Sequence, residues 1–381
     1  TKKRPTLETY KYHMPGEQEF YKTEIEIFDI TSKEIKQVAL DTIKQKSIQI
    51  YSEQIKKSNA DDEFKPRLLL SKKGKIYFNS ISRDRKKMDI CVADLDTGEV
   101  QVLIEERFNT YIESRPLVLL NNETEMIHWA ERDGWAHFYL YDTKGNLKNR
   151  ITKGAYHSDE VVGVDSRERK LYFLAQGITK GQDPYFTHLY SINLDGTGLK
   201  NLNSGDFTSN VSMSDSNRYF VSNYSTVDTT PKSELRSASG TVLMELETAD
   251  LSQLMASGYK FPERFKMKAD DGITDIYGVM YKPFNFDETK KYPLLEYVYP
   301  GPQTEAVNKS FSVRMDRLDR MAQVGFIVVT MGNRGGHPDR SKWYHNYGYG
   351  NLRDYGLADT KYVAEQLADA HSFIDIEKVG I

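Results

Sequence analysis

Hydrophobic and polar residues alternate through the first two-thirds of the chain, and this pattern predicts short β-strands joined by tight turns. Four segments share one arrangement: an alternating strand, a turn rich in Asp, Asn and Gly, and a second short strand. They begin at Glu24, Asp89, His137 and His188, and the second reads D-I-C-V-A-D-L-D-T-G-E-V-Q-V-L. Each segment therefore predicts a β-hairpin.

The hairpins recur at nearly constant spacing. The last three begin about 50 residues apart and the first two about 65 apart, near the period of propeller blades. Further apolar strands accompany most copies and begin at Lys75, Met126, Lys170 and Arg218. Strand, loop, strand, turn, strand is the order within a propeller blade. We predict a partial β-propeller of about five blades over residues 1–257. A β-sandwich is the alternative, although sandwiches rarely repeat one hairpin at constant period.

The pattern changes at S-G-Y-K-F-P, residues 257–262. A hairpin turning at Asp271-Gly272 follows, and then strands alternate with helices. Such alternation predicts a mostly parallel sheet covered by helices. We therefore expect a second, α/β domain over residues 258–381. The final K-V-G-I reads as the start of a buried strand, so we expect the chain to stop inside this domain.

Two helices and one apolar strand are predicted in this second domain. The strand is F-I-V-V-T from Phe326, and the Gly-rich loop M-G-N-R-G-G-H follows it. Asp354 is the predicted N-cap of the second helix. The first helix is expected to have Met315, Leu318 and either Met321 or Ala322 on one face, and the second helix to carry Leu357, Val363, Ala364 and Leu367.

The candidate functional residue is Tyr299, at the end of the predicted strand Leu294–Tyr299. Pro300, Gly301 and Pro302 follow it and cannot continue a central strand. Ligands of open α/β sheets bind outside the carboxyl ends of the strands, where a phenol can donate a hydrogen bond to a developing oxyanion. Taken alone, a tyrosine at a strand end is more often a packing or surface residue.

Composition excludes several classes of function. Charged residues make up 28% of the chain and the formal net charge is -3, so no electrostatic footprint for nucleic acid is present. Cys91 is the single cysteine, which excludes an intrachain disulfide and a multi-cysteine zinc site. No apolar run approaches the length of a membrane helix. These features indicate a globular protein without a membrane span in this chain.

The Gly-rich loop suggests phosphate binding, but its spacing argues against it. Gly332, Arg334, Gly335 and Gly336 match neither the P-loop nor the dinucleotide fingerprint. We predict a tight turn in which Arg334 forms a structural ion pair. Similarly, the histidines of this region are not at metal-ligand spacing, and we predict structural roles for them; they are His337, His345 and His371.

Two acidic stretches in the strand-rich region also admit a functional interpretation. Asp94, Asp96 and Glu105 occupy positions 1, 3 and 12 of an apparent calcium loop, but position 6 is Glu99 rather than glycine. We therefore predict an ordinary turn. Glu131, Arg132 and Asp133 lie between two blade strands, and we predict a solvated charge cluster, with substrate contact as the alternative.

Four longer segments resemble the dipeptidyl peptidase IV branch of the prolyl oligopeptidase family of serine peptidases. They are K-K-Y-P-L-L-E-Y-V-Y-P-G-P-Q (290–303), V-G-F-I-V-V-T-M-G-N-R-G-G (324–336), Y-G-N-L-R-D-Y-G-L-A-D (349–359) and W-A-E-R-D-G-W-A-H-F-Y-L-Y-D (129–142). The resemblance implies a β-propeller followed by the N-terminal half of an α/β-hydrolase domain. It implies cleavage of short peptides near their N-terminus, typically after proline, through an acyl-enzyme and without metal or cofactor. Tyr299 corresponds to the tyrosine that helps form the oxyanion hole.

The resemblance also places important residues outside this sequence. The family's G-x-S-x-G elbow follows a strand that matches K-V-G-I, so we expect the catalytic Ser, Asp and His beyond Ile381. We expect the chain to be inactive by itself. No motif in this sequence matches the family's glutamate pair, which binds the substrate N-terminus. The family's propeller has eight blades and about five are predicted here, so we expect the chain to be truncated at both ends.

Two alternatives remain open at this stage. The first keeps the fold but makes the whole protein an acylaminoacyl peptidase or an oligopeptidase. The second is a non-catalytic propeller that binds protein partners. For the leading interpretation, the resemblance implies release of dipeptides or tripeptides, a homodimer, and an exported protein in the periplasm or outside the cell.

Overall fold

A computed structural model of the chain describes residues 7, 9, 14, 16–17, 23–43, 47–54, 67–120, 123–299, 301–312 and 317–381. The chain divides into two compact units, residues 1–112 and 113–381. The division falls inside the region predicted as propeller. The domain boundary predicted after residue 257 stays a prediction.

The first unit consists of short antiparallel strands. Its elements are β1 (Glu26–Phe28), β2 (Ile35–Gln37), a 3₁₀ turn (Leu40–Thr42), β3 (Ser47–Ile50), β4 (Ser52–Gln54), β5 (Arg67–Leu69), β6 (Lys75–Ile81), β7 (Lys87–Asp94) and β8 (Val100–Arg107). β3, β6, β7 and β8 form one four-stranded sheet in that order, while β1–β2 and β4–β5 are separate two-stranded ribbons. Phe78 and Cys91 are buried with Ile25 and Val38 in one cluster, so the first ribbon packs on this sheet.

The apparent calcium loop is a turn, as predicted. Asp94 Oδ1 accepts hydrogen bonds from the backbone N–H groups of Asp96 and Thr97 at 2.9 and 3.0 Å. Gly98 has a φ of +76°, a conformation that glycine adopts without steric cost. Glu105 lies within β8, paired opposite Asp89 in the ladder. The carboxylate of Asp94 therefore stabilises a β7–β8 hairpin.

The second unit begins with three more sheets of the same kind. Their strands are β9 (Val118–Leu120), β10 (Glu125–Ala130), β11 (His137–Asp142), β12 (Leu147–Arg150), β13 (His157–Asp165), β14 (Lys170–Gln176), β15 (Thr187–Asn193), β16 (Lys200–Asn201), β17 (Thr208–Met213), β18 (Tyr219–Ser225), β19 (Lys232–Ser237) and β20 (Val242–Thr248). Each sheet takes four consecutive strands in chain order, all antiparallel. This is the meander of a propeller blade.

Aromatic side chains fill the space between the first two of these sheets. The rings of Phe138 on β11 and Phe173 on β14 meet edge to face with centroids 5.6 Å apart, a favourable geometry for aromatic pairs. Trp129 on β10 is buried in the same cluster. Alternate residues of each strand therefore pack between blades, as the alternating pattern predicts.

The predicted blade architecture is confirmed, but the count of about five is not. Within the described ranges there are four four-stranded sheets. The copy beginning at Glu24 forms only the ribbon β1–β2. The other three predicted hairpins and all four additional strands are present.

A mixed sheet and four helices complete the second unit. The elements are α1 (Ser252–Ala256), β21 (Glu263–Lys268), β22 (Asp275–Tyr281), β23 (Tyr292–Tyr297), α2 (Arg317–Gln323), β24 (Ile327–Met331), α3 (Lys342–His345), α4 (Leu357–Ala370) and β25 (Ile374–Gly380). The strand order is β21-β22-β24-β23-β25. β23 runs parallel to both β24 and β25, and β21–β22 is the predicted hairpin. This helix-covered sheet after blade-like sheets confirms the predicted fold class.

Helices cover both faces of β24, which explains its unbroken apolar sequence. On one face, Ile327 and Val329 share a core cluster with Val363, Ala364 and Leu367 of α4. On the other face, Val328 is buried with Leu318 and Ala322 of α2. Leu318 is therefore buried as predicted, and of the two alternatives Ala322 is buried and Met321 is not. Met315 lies outside the described residues.

Two local predictions for this domain are wrong. α4 begins at Leu357 with Gly356 as N-cap and no side-chain cap; the Asp354 carbonyl, not its carboxylate, accepts a bond from Leu357. The helix does carry Leu357, Val363, Ala364 and Leu367, as predicted. Val379 of β25 is 42% exposed, because among the described strands β25 pairs only with β23.

Candidate functional site

Tyr299 lies two residues beyond the carboxyl end of β23. The strand ends at Tyr297, earlier than predicted, and the Tyr299 carbonyl accepts a hydrogen bond from Gly301 N–H at 2.8 Å. The Tyr299 side chain is 57% exposed. Since β23 and β24 are parallel, Gly332 follows β24 at the same edge of the sheet. Tyr299 therefore lies where a ligand of such a sheet binds. Pro300 lies outside the described residues.

The segment after Tyr299 is held by α3. His345 Nε2 lies 2.6 Å from the carbonyl oxygen of Pro302. Because a carbonyl can only accept, Nε2 carries the proton in this bond. Burial lowers the pKa of His345, although the bond to Pro302 opposes that shift. Gly301 and Thr304 form an isolated β-bridge, so the chain makes a tight turn immediately beyond the candidate tyrosine.

Glu305, at the end of this turn, accepts hydrogen bonds from two phenols. Its Oε1 atom lies 2.8 Å from the hydroxyl of Tyr185 and 3.1 Å from that of Tyr344. Its Oε2 atom is buried and has no hydrogen-bond partner among the described residues. Burial raises the pKa of Glu305, while Lys309 and the Tyr185 hydroxyl oppose the shift. Tyr185 comes from the β14–β15 loop, so Glu305 joins a blade to the α/β sheet.

Two glycines of the Gly-rich loop make room for this carboxylate. A Cβ atom at Gly332 would lie 2.5 Å from both carboxylate oxygens of Glu305. A Cβ atom at Gly336 would lie 3.0 Å from Glu305 Oε1. Both approaches are closer than ordinary van der Waals contact. The glycines are therefore needed for close packing of Glu305, and the phosphate-loop interpretation is not required to explain them.

Cationic side chains surround the two tyrosines. Lys309 Nζ is 2.8 Å from Asp183 Oδ2 and 4.5 Å from the centroid of the Tyr185 ring. The guanidinium of Arg340 stacks 4.1 Å from the centroid of the Tyr344 ring. Burial and then the Glu305 charge raise the pKa of both phenols well above the usual value. Both hydroxyls therefore keep their protons and act as donors.

Arg334 forms the structural ion pair predicted for it. Its Nη2 and Nε atoms lie 2.6 and 3.0 Å from Asp359 Oδ1, and its backbone N–H donates to Asp359 Oδ2 at 2.8 Å. The backbone N–H of Asp270 also donates to Asp359, at 3.1 Å. Asp359 is fully buried on α4. The pair ties the Gly-rich loop and the β21–β22 hairpin to α4.

The cluster Glu131–Asp133 is not simply solvated. Glu131 pairs with Lys342 of α3 at 2.6 Å, and the two side chains are 3% and 8% exposed. The backbone N–H of Lys342 also donates to the carbonyl of Gly134 at 2.8 Å. Asp133 instead pairs with Arg150 at 2.5 Å within the blade. The prediction of a solvated cluster is wrong for Glu131, because α3 packs directly on the β10–β11 loop.

The histidines considered earlier have separate environments. His337 Nδ1 is 3.4 Å from Asp339, and its ring meets that of Tyr185 edge to face. His371 stacks on Phe373 with ring centroids 5.0 Å apart. Within the part of the chain that the structure describes, no three His, Cys, Asp or Glu side chains are grouped to hold a metal ion.

A cleft of about 250 Å³ lies between the edge of the mixed sheet and the blade loops. Four of its charged wall residues are paired with one another: Arg264 with Asp206 at 3.2 Å and Lys309 with Asp183 at 2.8 Å. Phe186 and Tyr277 also line the cleft. These pairs connect the blades to the sheet.

Sequence reasoning does not find Glu305, Tyr185 or Tyr344. No local motif marks them, because Tyr185 and Glu305 are 120 residues apart and meet only in the fold. The one available signal is the pair Gly332 and Gly336, because glycines allow another group to pack directly on the backbone. The sequence does not show which side chain takes that room.

A family model described as "Dipeptidyl peptidase IV (DPP IV) N-terminal region" matches residues 1–231. The chain therefore belongs to the family of proteins that contain this dipeptidyl peptidase IV N-terminal region. Among the described residues, no helix is both long and apolar enough to cross a membrane.

Curated relatives of the chain are named dipeptidyl peptidase or dipeptidyl-aminopeptidase. Human dipeptidyl peptidase 8 is 35% identical over 124 residues, which is 32% of this chain and 14% of that protein. Probable dipeptidyl-aminopeptidase B of Paracoccidioides lutzii is 25% identical over 349 residues, covering 84% of this chain and 37% of that protein.

Solved structures show the same fold. A putative dipeptidyl aminopeptidase IV from Bacteroides ovatus matches 94% of this chain and 51% of that chain, with a TM-score of 0.75 and 24% identity. Porphyromonas gingivalis dipeptidyl peptidase 4 matches 94% and 48%, with a TM-score of 0.75 and 20% identity. The chain thus spans about half the length of these structures and a smaller share of the curated relatives.

Proposed function

We propose that the full-length protein is a serine exopeptidase that releases dipeptides, or tripeptides, from peptide N-termini, typically after proline. The observation that carries the proposal is the exposed Tyr299 beyond the carboxyl end of β23 in a chain of this family. The names of the relatives, dipeptidyl peptidase and dipeptidyl-aminopeptidase, support the substrate class.

In this proposal, a serine hydroxyl attacks the scissile carbonyl carbon and forms a tetrahedral intermediate. The histidine takes the serine proton and returns it to the leaving amine, and an aspartate orients the histidine. In this proposal, the full-length protein supplies these three residues. Tyr299 donates its hydroxyl hydrogen bond to the oxyanion, where it stabilises charge that develops only in the transition state.

The test is hydrolysis of an Ala-Pro p-nitroanilide by the full-length protein and its Tyr299→Phe variant. We expect activity in the parent and a decrease in kcat of about 10²–10³-fold in the variant, with KM little changed. Tyr219→Phe, at another exposed tyrosine on β18, is the matched control and should keep full activity. Unchanged activity in Tyr299→Phe would remove this residue from the mechanism.

The same assay separates the alternatives. Cleavage of N-acetylated substrates but not of free-amine substrates would favour an acylaminoacyl peptidase. An inactive full-length protein would favour a propeller that only binds partners.

The proposal includes two properties of the whole protein: export to the periplasm or the cell exterior, and assembly as a homodimer. Both are supported by the family resemblance. Cell fractionation tests the first property, and light scattering of the full-length protein tests the second.

A further inference from the structure

The turn between Tyr299 and Glu305 is fixed at two points by neighbouring residues of α3. His345 holds the carbonyl of Pro302 at 2.6 Å, and the Tyr344 hydroxyl holds the carboxylate of Glu305 at 3.1 Å. Glu305 is only six positions after Tyr299. Displacement of Glu305 would therefore shift the backbone that carries Tyr299.

A blade supplies the third contact. Tyr185, on the β14–β15 loop, donates to the same Oε1 atom at 2.8 Å. Lys309 packs over the Tyr185 ring and pairs with Asp183 on the same loop. The position of the turn thus depends on a propeller-type sheet as well as on α3.

The chemistry of Glu305 indicates a role beyond stability. Its Oε2 atom is buried without a hydrogen-bond donor among the described residues, which is unfavourable for a polar atom. A Cβ atom at Gly332 would also lie 2.5 Å from its carboxylate oxygens. A residue kept under such costs commonly serves a functional geometry.

We infer that Glu305 is a positioning residue for Tyr299, and that Tyr185 makes the β13–β16 blade part of the oxyanion geometry. This inference rests on the proposed function of Tyr299. The propeller then helps to set the catalytic geometry. Glu305 does not contact the substrate; it acts through the turn that begins at Tyr299.

The experiment is a double-mutant cycle in the full-length enzyme with the Ala-Pro substrate. Glu305→Ala should lower kcat by about 10²-fold, as expected when a catalytic group is misplaced by about 1 Å, with KM within about twofold. In the Tyr299→Phe background, the same substitution should lower kcat by less than about threefold, since the hydroxyl that it positions is already absent. Equal losses in both backgrounds would overturn the inference.

Milder variants keep the test valid if Glu305→Ala does not fold. Glu305→Gln retains an acceptor oxygen for both phenols and should restore most of the lost activity.

Tyr185→Phe should lower kcat by about 3–10-fold, the value of one hydrogen bond. Its control is Tyr224→Phe, which removes a similar tyrosine–carboxylate bond of 2.7 Å to Glu234 and should leave kcat unchanged. Full activity in Tyr185→Phe, or a loss in Tyr224→Phe equal to that in Tyr185→Phe, would overturn the inference.

The parent enzyme and Tyr299→Phe test the proposed function separately. An inactive parent would refute that function, and a fully active Tyr299→Phe would remove Tyr299 from the mechanism; either result would also refute the inference. An active parent with an impaired Tyr299→Phe confirms the function, and the Glu305 and Tyr185 variants then decide the inference alone.

Discussion

Glu296 and Asp159 are acids whose surroundings shift their pKa values in opposite directions. Glu296 is buried in the middle of β23, and its Oε1 atom has no partner among the described residues. Burial alone raises its pKa to about 7. Burial would also raise the pKa of Asp159, but the adjacent His157 and Arg115 hold it at about 2. The pKa of Asp159 is therefore lowered because charged partners lie beside it, whereas burial alone raises the pKa of Glu296.

We predict that Glu296 makes the α/β sheet more stable in mild acid. Its pKa is about 7 in the folded chain and near 4.5 when unfolded, so the folded state binds the proton more tightly. Its contribution is complete below about pH 4.5 and is lost as the pH rises through 7. Glu296→Gln should remove up to about 3 kcal/mol of pH dependence from the free energy of unfolding between pH 5 and 8.

Urea denaturation at several pH values measures this effect. Glu288→Gln, on an exposed turn, is the control and should reproduce the parent's pH profile. The prediction is wrong if the free energy of unfolding of Glu296→Gln changes with pH as steeply as that of the parent.

Among single residues, those in local patterns could be predicted and those in long-range contacts could not. Tyr299 follows a strand and precedes P-G-P, so its place at a sheet edge is visible in the sequence. Arg334 was likewise predicted to form an ion pair, although its partner Asp359 was not named. Glu305 makes its contacts with residues 39 and 120 positions away, and no periodic pattern records such distances.

At the scale of elements, the β19–β20 hairpin shows how a turn is locked to its neighbour. Gly240 has a φ of +89°, and a Cβ atom there would lie 2.6 Å from the carbonyl oxygen of Leu202. Gly258 has a similar φ of +91° but nothing within 4 Å of such a Cβ atom. The two glycines therefore share a backbone conformation and differ in steric surroundings.

We predict that Gly240→Ala destabilises the chain more than Gly258→Ala does. Gly258→Ala should cost about 1 kcal/mol for the left-handed backbone alone. Gly240→Ala should cost a further 1–3 kcal/mol, roughly, because backbone atoms must move to relieve the clash. Urea unfolding of the two variants gives the comparison directly, and equal losses would show that the hairpin adjusts freely.

The hairpins and central strands of the blades could be predicted because apolar alternation marks them. The first strand of each sheet could not. β9 has only three residues and β17 reads T-S-N-V-S-M, so neither carries a clear apolar pattern. The start of α4 differs from the prediction for a related reason. Asp354 resembles an N-cap, but the chain makes one more turn and the helix begins after Gly356.

At the scale of the molecule, the 113–381 unit is joined by polar contacts from each of its three blade sheets to the α/β part. Glu131 reaches Lys342, Tyr185 reaches Glu305, and the Ser225 hydroxyl accepts a bond from the backbone N–H of Phe311 at 3.0 Å. Of these three contacts, the Glu131–Lys342 contact is an ion pair, and both of its side chains are buried. Buried pairs hold a fixed geometry because breaking one partner leaves an uncompensated charge.

We predict strong coupling across the Glu131–Lys342 pair. Glu131→Gln and Lys342→Met should each reduce the free energy of unfolding by about 3–5 kcal/mol, while the double variant should lose much less than their sum. The exposed pair Lys361–Glu365 on α4, at 3.7 Å, is the control and should show coupling below about 0.5 kcal/mol. Additive losses at Glu131 and Lys342 would contradict the prediction.

The packing of Glu305 against Gly332 and Gly336 has a consequence for how this sequence can evolve. An alanine at Gly332 collides with the carboxylate, and one at Gly336 makes a tight contact of 3.0 Å with it. A shorter residue at 305 leaves the hydroxyls of Tyr185 and Tyr344 without their acceptor. Each single substitution is therefore harmful, and neutral change requires several positions to change together. Across homologous sequences these five positions should be inherited as one group, although the first and last are separated by about 160 residues.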